Sequence, residues 1–243
     1  TTDKMTVIKL YREIHMFCEG SLHARERTRA AFKDHPLIFL PESSQWVRLQ
    51  TCVWEAPSCL RKVRPIAHIY GSVQPFFKNI LSLHDAGIGD FVDELTTHDN
   101  VISSTYLIKE LLLELGGRIS PRVVYDLKAL ENCRIFPVIK AQKQQALMSG
   151  NETWFIPDGR NLHEAFNGIV PLLSFTLGEQ KRLEPLLEKL GIWNKHLSGK
   201  VTKQEVVDGK DQATKDTTYT KKFQVKAHYL LCLTNPAERY MLK

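Results

Sequence analysis

The chain has 243 residues, of which 43% are apolar and 25% are charged, and its formal net charge is +6. This length can bury a substantial core, and the composition is ordinary for a soluble globular protein. The longest apolar run, around Leu111–Leu113, is interrupted by Glu110 and Glu114, so it falls well short of the roughly 20 residues that cross a bilayer. These features exclude an integral membrane protein as the expected class.

The N-terminal residues and the cysteines bear on the cell compartment. The chain begins TTDKMTVIKL, without an initiator Met or an apolar signal region, which suggests a piece of a longer polypeptide rather than a secreted protein. Five cysteines at scattered spacings indicate a reducing compartment, cytosol or nucleus, with buried free thiols. A metal site of Cys52, Cys59 and His68 is the alternative, although structural zinc sites usually show close ligand pairs.

Charge is distributed unevenly along the chain. Residues 21–64 hold eight Lys/Arg against four Asp/Glu, residues 82–131 hold four against nine, and residues 195–243 hold ten against five. An acidic middle between two basic segments suits docking between segments or neighbouring domains through complementary charge. Solvated surface faces are the simpler interpretation of the same pattern.

Two amphipathic helices open the chain. Apolar residues at helical spacing predict the first over Met5–Cys18, ending at Gly20, and Ser21 begins a second that runs to about Phe32. The exposed side of the second helix carries three basic residues, Arg25, Arg27 and Arg29.

A β-hairpin follows these helices. The apolar run Leu37–Leu40 and the run Trp46–Leu49 flank the turn sequence PESS, which favours two paired strands. Trp46 and Trp54 are predicted to anchor the core beside this sheet rather than to stack on a ligand. Proline residues then bracket an irregular basic segment that contains Arg61, Lys62 and Arg64.

Helical patterns dominate the middle of the chain. Residues 76–81 recur with helical period, a short helix passes through residues 91–95, and the clearest helix runs from Ser103/Ser104 to Leu115. We expect Gly116-Gly117 to end that helix. Ser120-Pro121 has the form of a helix start and predicts a further helix to about Asn132.

A second strand unit is predicted at Arg134–Ile139 and Thr153–Ile156, joined by the polar loop Ala141–Glu152. Residues 158–168 predict a short helical turn. Thr176 and Glu179 have the spacing of a capping box, which predicts a helix over Leu177–Leu190. Residues 202–215 are polar enough to suggest a mobile loop, and a final helix is predicted over Tyr219–Leu233.

These elements predict an α+β fold that is predominantly helical, with two small β-hairpin units. We expect residues 1–100 to form a helical segment with the first hairpin and residues 101–200 to hold the second. Residues 201–243 would add the polar loop and the C-terminal helix. The alternative is that all three segments join in one compact domain.

One string resembles a catalytic motif. Asp85-Ala86-Gly87-Ile88-Gly89-Asp90 has the DxGxG form of an ATP site, but it follows a helical pattern and no glycine-rich phosphate loop comes after it. A glycine-rich helix connection is the preferred interpretation. No nucleophile elbow is present, and paired carboxylates such as Asp93-Glu94 are expected to be solvated and ionised. We therefore predict no catalytic residues, no metal and no cofactor.

Several phrases, in their order, resemble the region after the ATPase module in large sacsin-like and NO VEIN-like proteins of fungal type. They are FKDHPLIFLPESSQWVRLQTCVWEAP, ENCRIFPVIK, ETWFIPDGRNLHEAF and LEPLLEKLGIWNKHLS, and the likeness covers most of residues 24–200. The resemblance implies a larger protein whose N-terminal part holds an Hsp90-like nucleotide site, with chaperone-like or regulatory work. The Asn-bearing helix and lid of that site are absent here, so ATP binding is not carried over.

The expected function is that of a non-catalytic middle module, intracellular and without a membrane, which contacts its own ATPase domain or another protein. A nucleic-acid-binding module is the first alternative, using Arg25, Arg27, Arg29, Arg61, Lys62 and Arg64. A degenerate nucleotide site at Asp85–Asp90 is the second.

Overall fold

The computed structural model describes residues 3–97, 105–120, 125–140 and 144–200. Contacts within the chain divide it into two compact units, Thr1–Ser103 and Ser104–Lys243. The polar loop predicted at 202–215 and the helix predicted at Tyr219–Leu233 lie outside the described residues. No helix in the described ranges combines the length and the apolar character that a bilayer crossing requires.

The first unit opens with the two predicted helices, α1 (Lys4–Glu19) and α2 (Leu22–Asp34), which pack on each other. Ser21 begins α2 because its hydroxyl accepts a hydrogen bond from the Ala24 amide at 3.2 Å. Four residues of α1 that share one face are buried in the core: Val7, Ile8, Tyr11 and Cys18. Both helix predictions are confirmed.

The predicted first hairpin is also confirmed. Strands β1 (Ile38–Leu40) and β2 (Gln45–Val47) pair antiparallel, with Phe39 opposite Trp46. Trp54 is buried in the core, at 3% exposure. The prediction that Trp46 anchors the core is wrong: its side chain lies on the exposed strand and is 41% exposed.

The rest of the first unit is built from short elements. Strands β3 (Cys52–Val53) and β4 (Arg64–Pro65) form a parallel pair, and α3 (Ala67–Tyr70) follows. A π-helical turn at Phe76–Ile80 precedes α4 (Ile88–Thr96). Phe76, Phe77 and Ile80 are buried, as their spacing predicts.

In the second unit, α5 (Thr105–Arg118) packs against α8 (Leu177–Lys189). Thr176 and Glu179 form the predicted capping box at the start of α8. The prediction that Gly116-Gly117 ends the earlier helix is wrong, because α5 continues to Arg118. A Cβ atom on Gly116 would lie 2.6 Å from the Arg182 carbonyl oxygen of α8, so this glycine permits close helix contact.

The predicted second hairpin is right in its first strand and wrong in its second. Strand β5 (Phe136–Ile139) pairs antiparallel with β6 (Gln145–Met148), which lies inside the predicted polar loop. The other edge of β5 pairs with β7 (Leu172–Leu173). Both edges of β5 are therefore taken, and residues 153–156 form only isolated bridges, from Phe155 and Ile156.

The helix predicted from Ser120-Pro121 is shorter than expected. Helix α6 spans Lys128–Asn132, residues 125–127 are not helical, and residues 121–124 lie outside the described part. The Asp126 carboxylate accepts from the Lys128 amide at 3.0 Å, which starts a helix at that later point. Helix α7 (Arg160–Phe166) forms as predicted. The predicted class, α+β and predominantly helical, is confirmed.

Candidate functional site

The predicted arginines of α2 do not form one basic stripe. Arg25 donates from Nε to the Cys18 carbonyl at 2.8 Å, and Arg29 donates to the Ile80 carbonyl at the end of the π-helical turn. Both guanidinium groups therefore satisfy carbonyl groups at helix ends, where a positive charge is favourable. Arg27 is exposed and is two positions from both Arg25 and Arg29 in the sequence, so it lies on the opposite side of α2.

The basic segment 61–64 is attached to α4 by a buried acid. The Glu94 carboxylate accepts hydrogen bonds from the backbone amides of Arg61 at 3.3 Å and Lys62 at 2.9 Å, and Glu94 is only 2% exposed. The expectation that Glu94 is solvated is wrong, because these amides replace water around its carboxylate. Arg64 is exposed on β4, and nucleic-acid or partner contact by the six basic residues stays a prediction.

The string at Asp85–Asp90 begins a helix. The Asp90 carboxylate accepts from the Gly87 amide at 2.7 Å, which satisfies an amide at the start of α4. Asp85 forms an ion pair with Lys78, with Nζ 3.2 Å from Oδ1. Both carboxylates therefore have partners within the first unit, and the string serves as the connection that leads into α4.

The cysteines are free thiols in the described ranges. Cys18, Cys52 and Cys59 are buried, and burial raises the pKa of the Cys52 thiol, which keeps it protonated. No group of three or more His, Cys, Asp or Glu residues in the described part could hold a metal ion. The alternative zinc site is therefore not assembled; His68 instead lies 3.4 Å from the Glu42 carboxylate.

Helix α1 exposes an unusual amount of apolar surface. We call this the α1 outer surface, and it consists of four residues of α1 and the first residue of α2: Met5, Leu10, Met16, Phe17 and Leu22. These side chains are 52–72% exposed. Leu10 and Phe17 are two helical turns apart, and Met5 and Met16 are three, so each pair follows one line along the helix. The two lines run roughly a third of a turn apart, with the exposed Lys9 and Glu13 between them. Helical spacing places Lys9, Arg12 and Glu13 on this side of α1 and so predicts a polar face, which is why the sequence alone does not reveal the surface.

The second unit contains a cavity of about 430 Å³ at the start of α8, which we call the α8 cavity. Its walls come from α5, β5, α7, β7 and α8, and they include Lys109, Ile139, Leu173, Phe175, Leu177 and Gln180. No local sequence signal marks these residues, because they come from five separate elements and only the tertiary structure gathers them.

Phe175 contacts two of the polar side chains at this cavity. The Lys109 ammonium lies 5.0 Å from the centroid of the Phe175 ring, and the Gln180 side chain donates from Nε2 to the Phe175 carbonyl at 3.0 Å. Gln180 is buried, at 9% exposure, whereas Leu177 at the rim is 44% exposed. The cavity thus combines apolar walls with a cation and a buried amide.

A serine, a histidine and an aspartate meet elsewhere in the second unit. Ser198 donates to the Asp158 carboxylate from its backbone amide at 3.1 Å and also from its hydroxyl, and His196 Nδ1 lies 3.4 Å from the same carboxylate. A catalytic triad needs the serine hydroxyl on the histidine rather than on the aspartate. Here the aspartate joins the 196–198 segment to the chain at residue 158.

Lys195 borders a second cavity of about 340 Å³. Its Nζ donates to the Glu152 carbonyl at 2.6 Å and lies 4.7 Å from the ring of Trp154. Burial lowers the pKa of Lys195, because its charged form loses water. The arrangement holds the lysine against the buried tryptophan.

Comparison with known proteins gives one family match. Residues 89–201, a little under half of the chain, match the family described as Domain of unknown function (DUF8348). This range includes the α8 cavity and most of α4. Searches of curated proteins and of solved structures give no significant match.

Proposed function

We propose that this chain is a non-catalytic contact module of a larger protein with an Hsp90-type ATPase domain, and that it docks through the α1 outer surface. The observation that carries the proposal is the set of large apolar side chains that α1 exposes outside its buried face. Its inner face is buried in the core, and its outer face still exposes Leu10, Met16 and Phe17 by more than half.

A surface helix normally turns polar residues outward, whereas α1 turns Leu10, Met16 and Phe17 outward together with charged residues. Exposed apolar surface with polar residues around it marks an interaction site more often than scattered single apolar residues do. Phe17, at 72% exposure, offers the large aromatic contact that concentrates binding energy in protein interfaces. The outer face of α1 therefore combines large apolar side chains with charged ones, a mixture that occurs in protein interfaces.

The charges around this surface favour an acidic partner. Residues 3–34 hold seven Lys/Arg and five Asp/Glu, which gives a net charge of +2. Lys9 and Arg12 lie on the outward side of α1, among the exposed apolar residues. We assign the partner as an apolar groove with acidic residues at its rim, on the ATPase domain that the sequence resemblance implies.

The hydrogen bonding of the reactive side chains supports contact rather than catalysis. Asp85 and Asp90 have partners in the first unit, and Ser198 and His196 both turn toward Asp158. In a larger ATPase, such a module would bind the ATPase domain differently in its ATP and ADP states, and the nucleotide state would be transmitted by that difference.

The direct test is titration calorimetry of this chain against the ATPase domain of its full-length protein, with an ATP analogue or with ADP. We expect binding that differs between the two nucleotide states. Phe17→Glu should weaken it about 30-fold, which corresponds to about 2 kcal/mol for a charge in an apolar contact. The matched control is Ile169→Glu, since Ile169 is 65% exposed and belongs to the second unit; it should bind as the unmodified chain does.

Three results would overturn the proposal. They are a full-length protein without an Hsp90-type ATPase domain, no binding in either nucleotide state, or binding that Phe17→Glu leaves unchanged. Sedimentation should show a monomer; a dimer that Phe17→Glu dissociates would instead assign the α1 outer surface to a second copy of the chain.

Calorimetry with ATP and Mg²⁺ on the chain alone tests its non-catalytic character. We expect no heat beyond that of dilution and no phosphate release. Saturable binding that Asp85→Ala abolishes would instead establish a nucleotide site at residues 85–90.

A further inference from the structure

We propose that the α8 cavity binds a small organic anion that has an apolar body and a hydrogen-bond donor. The cavity measures about 430 Å³, which lies within the range of small-molecule sites in proteins. The inference does not depend on the proposed docking of α1, because every residue that carries it belongs to the second unit.

The apolar body of the ligand would lie against Ile139, Leu173, Phe175 and Leu177. Leu173 and Phe175 are buried, and Leu177 exposes 44% of its surface at the rim. An exposed leucine at the mouth of an apolar cavity gains from a ligand that covers it, since apolar surface is then removed from water.

The anionic group follows from the charge at the cavity. Arg160 and Glu164 form an ion pair of 3.1 Å and largely neutralise each other. Lys109 lies over the Phe175 ring and makes no direct ion pair within the described part of the chain, although its charge is partly offset by the nearby Glu179 carboxylate. The cavity also contains the first residue of α8, a 13-residue helix whose amino end favours negative charge. Glu179 offsets part of that field, because its carboxylate caps the Thr176 amide.

The hydrogen-bond donor follows from Gln180. Its Nε2 donates to the Phe175 carbonyl at 3.0 Å, and its Oε1 has no hydrogen bond to any described residue. Gln180 is 91% buried as a whole residue, but its Oε1 is not fully enclosed by protein, so this acceptor is still open to a donor from outside the chain. A ligand hydroxyl or N–H that reaches Oε1 would supply it.

Lys109 and Gln180 both contact Phe175, one at the ring and one at the carbonyl, so a small aromatic acid is the simplest ligand that could address both. The probe is therefore 4-hydroxyphenylacetate, which combines a ring, a carboxylate and a phenol donor. Three analogues each remove one feature: phenylacetate lacks the donor, 4-hydroxyphenylacetamide lacks the charge, and acetate lacks the ring.

The experiment is titration of the chain followed by amide chemical shifts in NMR spectra. We expect saturable shifts centred on Lys109, Phe175 and Gln180, with a dissociation constant of about 4 mM or tighter for a ligand of this size. Each analogue should bind about fivefold more weakly or worse. Shifts that grow linearly without saturation, or that centre away from these residues, would overturn the proposal.

Variants separate the roles of the residues. Lys109→Gln should weaken 4-hydroxyphenylacetate about fivefold and leave 4-hydroxyphenylacetamide unchanged. The matched control is Lys128→Gln, an exposed lysine of α6 that does not border the cavity. Leu177→Gln should weaken all ring-containing probes, and Gln180→Leu should abolish the preference for the phenol over phenylacetate.

Gln180→Leu changes a buried residue, whereas Lys109→Gln and Leu177→Gln alter the cavity rim and keep the test decisive if the buried variant fails to fold. Equal affinity of Lys109→Gln and the unmodified chain for the anion would overturn the assignment of Lys109. Retention of ring binding in Leu177→Gln would overturn the cavity as the site.

Discussion

The two units hold themselves together in different ways. In the first, the rings of Tyr11, Tyr70, Phe76 and Phe77 contact one another, with Tyr11 5.3–5.4 Å from the other three. In the second, α5 and α8 approach closely at Gly116, which has no side chain to hold them apart. The hairpin of the first unit thus rests on a cluster of aromatic rings, whereas the two long helices of the second unit meet at a position without a side chain.

The tyrosines of the first unit also serve the hairpin. The Tyr11 hydroxyl donates to the Leu37 carbonyl at 2.7 Å and accepts from the Phe39 amide at 3.2 Å, and the Tyr70 hydroxyl donates to the Phe39 carbonyl. A two-stranded hairpin leaves one edge of each strand unpaired, and here hydroxyl groups replace a third strand along β1. Removing a tyrosine hydroxyl should therefore lower the stability of the first unit, whereas adding a methyl group at Gly116 should lower the stability of the second.

Alkaline pH should give the largest contrast between the units. Burial raises the pKa of Tyr70 to about 12, and burial also raises the pKa of Tyr11 well above its ordinary value of 10.0. A raised pKa means that stability is present below pH 10 and is lost as the pH rises, because only the unfolded tyrosines ionise. At pH 11 the ionisation of each tyrosine in the unfolded chain should lower the free energy of unfolding by about 1.4 kcal/mol, or by about 3 kcal/mol for the two together.

Urea unfolding at pH 8 and at pH 11 would measure this loss. The variant Tyr11→Phe with Tyr70→Phe provides the control, since it should remove most of the pH dependence. Ionisation of both tyrosines near pH 10 in the folded protein would contradict the expected burial of their hydroxyls.

Gly116→Ala should be the most damaging small substitution in the second unit. The new methyl would lie 2.6 Å from the Arg182 carbonyl oxygen and 3.3 Å from the Leu183 Cα, so the backbone must shift. We expect a loss of about 2–3 kcal/mol in the free energy of unfolding, measured with urea.

The neighbouring glycine is the matched control. Nothing lies within 4 Å of a Cβ on Gly117, so Gly117→Ala should stabilise α5 by about 0.5–1 kcal/mol through helix propensity. Equal effects of the two substitutions would show that α5 and α8 do not meet at Gly116.

Tyr11→Phe should cost about 2 kcal/mol, because it leaves the Leu37 carbonyl and the Phe39 amide without a partner while the ring remains. Exchange of the Phe39 amide should accelerate. Tyr106→Phe is the control: Tyr106 is 67% exposed, and its loss of a hydroxyl should change stability by less than about 0.5 kcal/mol.

Substitution of the helix-capping residues should lower stability least, and by a similar amount in the two units. Ser21→Ala removes the acceptor of the Ala24 amide, and Thr176→Ala removes the acceptor of the Glu179 amide. Each should cost about 1 kcal/mol in thermal or urea unfolding. Replacement by Asp should retain most of the stability, and a loss as large as that of Ala would argue against capping.

Much of the fold could be predicted because it depends on residues close in sequence. The faces of α1 and α5 follow from helical spacing, and the starts of α2 and α8 follow from Ser21 and Thr176. The β6 strand could not be predicted, since Gln145–Met148 carries no strand pattern and extends because β5 offers it an edge. The exposure of Trp46 could not be predicted, because it follows from β2 being the outer strand of the hairpin while β1 is buried against the core.

The candidate surfaces were harder to predict. Leu10 and Phe17 are apolar in the sequence, but the spacing of the buried residues of α1 predicts a polar outer side, and these two residues do not follow that pattern. Lys109 and Gln180 are separated by 71 positions in the sequence, and no spacing rule connects them. Glu94 looked like a solvated acid because its two amide partners belong to a distant loop.

By itself, the sequence determined the class of the protein, most of its helices and the first hairpin, because these depend on periodicity and on caps within a few residues. Only the tertiary structure decided which strands complete the sheet around β5, why Gly116 lies inside a helix, and which side chains border the α8 cavity. Those features depend on contacts between residues far apart in the chain, where the free energy comes from packing that no local pattern encodes.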